Sequence, residues 1–103
     1  MKRGEVRWYT FKAPDKKRPI VILSRTSIIP YLGEVTIAPI TTTVRDIPSE
    51  VFLSRHDGLP RDCAVNCDHI QTVAKQKIGP LITSLPAEKL EALAQAVRFS
   101  LDL

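Results

Sequence analysis

Apolar and polar residues alternate in short bursts along most of this chain, and only the final stretch shifts to a helical period. Residues 5–11, Glu-Val-Arg-Trp-Tyr-Thr-Phe, alternate in part, with Val6 and Trp8 on one face and Arg7, Tyr9 and Phe11 on the other. That pattern predicts a first strand. Ile20 to Leu23 is a continuous apolar run rich in β-branched residues, so 19–24 reads as a central strand buried on both faces. The turn-rich Ala13-Pro14-Asp15-Lys16-Lys17 between them predicts an antiparallel pair joined by a polar loop. Pro30 rules out a long helix between Thr26 and Leu32, which reads as a short turn ending near Gly33. Residues 34–40 form a third strand, with Pro39 marking its end or an edge because proline brings no donor to a ladder. Residues 50–53 are a fourth strand, and Ser54 to Asp62 is a polar loop with a His56-Asp57-Gly58 turn. Cys63–Cys67 and Ile70–Ala74 are two further strands, or one bent strand.

Pro86 opens the one clear helix, with Glu88 in its first turn. Ala87, Leu90, Leu93, Ala94, Val97 and Leu101 make its apolar stripe. Five or six short strands followed by one helix fit a small, curled antiparallel barrel with a helical cap, a mainly β member of the α+β class.

The chain has 103 residues, room for a single domain over 1–103. No apolar run is long enough to span a bilayer, and the basic start, Met1-Lys2-Arg3-Gly4-Glu5, has no apolar stretch behind it. The cytoplasm is the expected compartment. Net charge is +4, yet eight of the fifteen Lys and Arg residues fall in the first 25 positions, with only two of the eleven Asp and Glu. A one-sided basic field points to a polyanion, with nucleic acid the commonest.

That field centres on Lys16-Lys17-Arg18-Pro19. Pro19 fixes its own φ and pushes Arg18 towards an extended backbone. Arg18 is then a planar, permanently charged fork at the entrance to a rigid strand, suited to a phosphate. The plainer reading of the same stretch is a solvated charge run. Thr41-Thr42-Thr43, at the end of the third strand, is likewise either β filler or a positioned set of hydroxyl donors. Cys63, Cys67 and His69 invite a metal reading. On one strand, though, the two thiols lie about 13 Å apart at roughly 3.3 Å per residue. Zinc ligands sit about 2.3 Å from the ion, so buried free thiols are expected instead.

The ordered set of motifs carries more than any one of them. Arg3-Gly4-Glu5-Val6, Arg18-Pro19, Ile20-Val21-Ile22-Leu23-Ser24, Ala38-Pro39-Ile40-Thr41 and Val65-Asn66-Cys67-Asp68-His69-Ile70-Gln71-Thr72 precede a Pro/Glu-initiated helix. Together they resemble the MazF/PemK family of toxins from bacterial toxin–antitoxin pairs, over nearly the whole chain. The resemblance implies an SH3-like barrel of the CcdB/MazF type, shared with the gyrase poisons, and a homodimer. It also implies a metal-independent endoribonuclease without cofactor, acting on mRNA or tRNA, and a MazE-like antitoxin. The family's reactive arginine precedes the proline of the second strand, here Arg18; its reactive threonine ends the Ala-x-Ile-Thr segment, here Thr41. Many members carry Gly-Ser-Glu-Gln before the arginine. This chain has a shorter loop without the usual acidic residue, for which Asp15 is the candidate substitute. The shorter loop resembles the mycobacterial-type members, some of which cut tRNA.

Metal-free RNA cleavage means attack by the ribose 2′-hydroxyl on its own phosphate, giving a 2′,3′-cyclic phosphate and a 5′-hydroxyl. Arg18 would neutralise the charge gathered on the non-bridging oxygens, with Thr41 donating to the same group. Arginine is a poor base at neutral pH, which leaves Asp15, His56 or a water to move the proton. Lys16, Lys17, Arg25 and Arg45 are the expected phosphate contacts. His69 is read as structural or part of a dimer contact. Two rival readings are a toxin of the same fold that poisons a protein such as gyrase, and a non-catalytic RNA-binding barrel.

Overall fold

The computed structural model describes residues 1–12 and 16–103. Seven strands form one sheet: β1 (Glu5–Phe11), β2 (Lys16–Ile22), β3 (Glu34–Thr41), β4 (Glu50–Leu53), β5 (Cys63–Asn66), β6 (Gln71–Ala74) and β7 (Leu81–Ser84). Among the described residues one α-helix, α1 (Ala87–Leu101), follows the strands. All pairings are antiparallel, in the order β4-β5-β3-β2-β1-β7, with β6 also on β3. The sheet is a curled half-barrel.

β3 explains the curl. Along one edge it pairs with β2 through Ile37–Pro39. Along the other it pairs with β6 through Glu34–Ile37, then with β5 through Ile40 and Thr41. Pro39, expected at a strand end or sheet edge, lies inside β3. Its missing donor falls where that second edge changes partner, so no ladder bond is lost there. The one-turn 3₁₀ helix Cys67–His69 carries the chain between those two partners.

Two cores result, one on each face of β2. Val21 joins Val6, Ala38, Ile40, Val65 and the helix residue Leu93 on one side. Ile20 and Ile22 join Ile29, Val35, Ile37 and Val73 on the other. The apolar run of β2 is thus buried on both faces, as its composition predicts.

Several element limits differ from the sequence reading. β2 begins at Lys16, so Lys16, Lys17 and Arg18 belong to the strand and not to a loop. β1 runs to Phe11 and supplies their partners: Phe11 for Lys16, Thr10 for Lys17 and Tyr9 for Arg18. β2 ends at Ile22; beyond it the Leu23 amide still donates to the Thr36 carbonyl at 2.9 Å, and the Thr36 amide donates to the Ser24 side chain, Oγ, at 2.8 Å in place of a backbone carbonyl. β7 is additional. It is short and bracketed by Gly79-Pro80 and Pro86, breakers that hide it in the sequence. Gly79 is needed there: a Cβ at that position would stand 2.9 Å from the Trp8 carbonyl oxygen.

The helix begins one residue later than its proline suggests. Pro86 is extended (ψ 164°) and its carbonyl accepts the first helical bonds from Lys89 and Leu90. Leu93 and Ala96 are buried, whereas Ala87 and Leu101, both assigned to the stripe, are exposed. The buried face is therefore rotated towards Ala96. The helix is tied to the sheet edge by Lys89, whose Nζ donates to the Phe52 carbonyl at 2.7 Å and lies 3.9 Å from Asp57. Gly4, at φ +90°, sits under this helix, and a Cβ there would collide with the Leu90 side chain. Among the described residues no helix is long and apolar enough to cross a membrane.

Candidate active site

Arg18 and Thr41 meet at one end of the β2–β3 pair. Their register pairs Ile20 with Pro39, Val21 with Ala38 and Ile22 with Ile37. Continued two residues further, the same register sets Arg18 opposite Thr41. Residues opposite one another on antiparallel strands share a face. Both line a single open cavity of about 430 Å³. One wall is Lys17–Pro19 and Ile40–Thr43, the other is Leu59–Arg61 with Cys63, and Trp8 stands at the side.

Three cations, Lys17, Arg18 and Arg61, and three threonines line this cavity, and among the described residues no carboxylate does. Arg18 is exposed and makes no ion pair with any described carboxylate. Lys17 lies over the Trp8 ring at 5.3 Å, which holds its ammonium near the rim by cation–π attraction. Thr41 is half-buried, and its Oγ1 accepts a hydrogen bond from the Thr43 amide at 3.1 Å. That bond occupies a lone pair and leaves the hydroxyl proton available for donation into the cavity. The three threonines therefore form a local turn that aims the first of them.

A second cleft, of about 460 Å³, lies on the other side of Arg18. It is lined by Phe11, Lys12, Lys16, Arg18, Pro39, His69 and Gln71. Arg18 is the charged residue common to both clefts. Lys16 thus flanks Arg18 in the second cleft, as Lys17 does in the first. Arg25 does not: it follows the far end of β2, beside the Thr26 hydroxyl that accepts from the Arg3 amide. Arg45 is bound to Glu50, its Nε donating at 2.7 Å and its amide at 2.9 Å. Burial pushes the Glu50 carboxyl up in pKa, but these Arg45 bonds outweigh it and hold the group below its ordinary value. The Arg45 charge is thereby committed to the loop that follows β3. Asp15 lies outside the described residues.

His69 occupies the junction between β5 and β6, as the strand break predicts, and is exposed into the second cleft. His56 sits in the one-turn helix Arg55–Asp57 and lines a different groove with Ser54, Arg55, Arg61 and Asp62. Cys63 and Cys67 are free and buried. Burial, with Asp62 and Asp57 nearby, raises the Cys63 thiol, and burial with Asp68 pushes Cys67 up to about 11. Both stay protonated near neutrality, so the thiol on the cavity wall is not a nucleophile. The residue missed from the sequence is Arg61. It sits in a loop just after Gly58 and Pro60 and nothing local distinguishes it; only the tertiary fold brings that loop to the cavity that holds Arg18.

Comparison with known proteins places this geometry. Residues 2–101 match the family described as PemK-like, MazF-like toxin of type II toxin–antitoxin system. The chain is 43% identical over 89 residues to endoribonuclease MazF3 of Mycobacterium tuberculosis, covering 86% of each sequence. It is 37% identical over 101 residues to the probable endoribonuclease MazF5 of the same organism, covering 97% of this chain and 92% of that one. The solved M. tuberculosis toxin MazF-mt6 superposes with a TM-score of 0.88 at 37% identity, over 96% of this chain and 97% of that one. A mycobacterial endoribonuclease in complex with its cognate antitoxin superposes at 0.90 with 25% identity, over 100% and 96%. With the profile matched along almost its whole length and relatives well above 30% identity, the chain belongs to the PemK-like, MazF-like toxins of type II toxin–antitoxin systems.

Proposed function

We propose that this protein is an endoribonuclease toxin that cuts mRNA or tRNA in the cytoplasm and is silenced by a MazE-like antitoxin. The observation that carries the reading is the shared cavity: a guanidinium and a hydroxyl, brought from neighbouring strand ends, in a basic recess without a described carboxylate. An RNA backbone carries one negative charge per nucleotide, and a cationic recess gathers it.

The chemistry follows from what these groups can do. The 2′-hydroxyl beside the scissile bond attacks phosphorus, and the P–O5′ bond breaks. The products are a 2′,3′-cyclic phosphate and a 5′-hydroxyl. Negative charge builds on the two non-bridging oxygens as the phosphorus becomes five-coordinate. Arg18 binds them through its planar fork, and Thr41 donates its hydroxyl proton to the same group. The Thr43 amide fixes the Thr41 oxygen beforehand, so little reorganisation is needed at the moment of reaction. The guanidinium is permanently charged and takes no proton from the nucleophile. His56 lines another groove, which leaves Asp15 or a water to take that proton. Lys17 and Lys16 add positive charge around Arg18, from the first and second clefts respectively.

Incubation of purified protein with total RNA in excess chelator tests the reading. Cleavage is expected to proceed, with fragments that a 5′ kinase labels directly and that carry cyclic phosphate ends. Intact RNA at micromolar protein overturns it and leaves the protein-poison and RNA-binding alternatives.

The partners follow from the surface. Phe99, Leu101 and Leu103 are each exposed near the end of α1, at 61%, 55% and 84%. Apolar exposure on so small a fold favours a second copy, since a chain of this size gains stability by further burial. Light scattering is expected to give the dimer mass; a monomer mass independent of concentration contradicts the homodimer. The antitoxin is an acidic, partly disordered segment that covers the basic face and excludes RNA.

A further inference from the structure

We propose that Arg61 is a second backbone-reading arginine, gripping the phosphodiester next to the scissile one and guiding the strand out of the cavity. The proposal rests on the nuclease reading but is carried by its own geometry. Arg61 lines the cavity that holds Arg18 and Thr41, on the opposite wall. It also lines the adjoining groove, with Ser54, Arg55, His56 and Asp62. It therefore stands on the sill between two recesses. Its neighbour Arg55 gives the outer one a second guanidinium.

The sill is built, although its tip is exposed. Leu59 and Cys63, two residues to either side of Arg61, are each 3% exposed and belong to the main core. Pro60 fixes the backbone between them, and its carbonyl accepts from Arg55 Nε at 3.2 Å. Behind it, the Ser54 and Asp57 side chains cap the one-turn helix reciprocally. Arg61 makes no ion pair with any described carboxylate. An arginine pinned on both sides, charged, and facing a cavity that already holds two cations raises the local repulsion. That arrangement is stabilised when a polyanion fills it. A single phosphodiester is served by Arg18 and Thr41; the next one along the strand falls to the cation at the cavity's exit.

The test uses binding, so that it does not depend on cleavage. A short single-stranded oligonucleotide with 2′-deoxy sugars, which lacks the nucleophile, is titrated by fluorescence anisotropy over a range of salt. Arg61→Ala is expected to weaken binding about 10- to 100-fold at low salt, the scale of one hydrogen-bonded charge contact. The slope of log affinity against log salt should become shallower by about 0.7, one phosphate on a single strand. Arg61→Lys should restore the slope. Arg61→Gln, which keeps a polar side chain without the charge, gives the same comparison if the alanine variant fails to fold. Replacing the phosphate on either side of the cleavage site by an uncharged methylphosphonate should, at one of the two sides, erase the difference between wild type and Arg61→Ala. An unchanged salt slope, or a difference that survives both replacements, overturns the assignment. Wild-type protein that shows these binding effects but leaves RNA uncut sinks the nuclease reading alone.

Discussion

Arg18→Ala is expected to slow RNA cleavage by about 100- to 1,000-fold, the usual cost of removing one preorganised donor from a transition-state oxyanion. The fold should survive. Arg18 is exposed, bonds to no described carboxylate, and projects from a strand whose pairing uses only the backbone. The loss should lie in kcat more than in KM, because Lys16, Lys17 and Arg61 still hold the backbone. Cleavage rates under saturating RNA, with circular dichroism and a thermal midpoint as the folding control, decide the matter. A folded variant that cuts at the wild-type rate removes Arg18 from the chemistry. Arg18→Lys should recover only part of the rate, since an ammonium cannot present two parallel donors to a phosphate.

The second large effect is on stability. Leu93→Ala should cost about 2–5 kcal/mol, the range for emptying a fully buried leucine site. Leu93 is 0% exposed and reaches from α1 into the same core as Val6, Val21, Ala38 and Val65. The helix lies against β4 and the turn at Cys67–His69, so the void opens between layers and cannot close by a local shift. For a domain of this length the thermal midpoint should fall on the order of 10 °C or more. Denaturant unfolding and calorimetry measure it. A change under about 0.5 kcal/mol, ordinary for surface positions, would mean that the helix is not part of the cooperative unit.

Much of the architecture was legible because strand chemistry is local. β1 and β4 fall on their predicted residues, since alternation and β-branched content bound both runs cleanly. β2 is centred where its apolar run lies, but its start at Lys16 could not be read from charged residues. What extends it is the partner strand, whose length lies elsewhere in the chain. β7 was hidden between prolines and glycine for the same reason: it is a strand because β1 offers it an edge. The site divides in the same way. Pro19 and the threonine run drew notice to Arg18 and Thr41, but the residues alone left each with a plainer reading, and it was the family resemblance that singled both out. Arg45 and Arg25 carry the same charge, yet Glu50 engages one and the length of β2 separates the other from the cavity.

The order of apolar, basic and turn residues was enough to specify strands, a terminal helix and a basic N-terminal quarter. Those features depend on interactions within a few residues, which any window of the chain contains. Which cations converge was settled only when β3 changed partner at Pro39 and the Leu59–Cys63 segment came to line the same cavity as Arg18. That convergence depends on pairing between segments some twenty to forty positions apart, where register and curl, not composition, decide which side chains share a space.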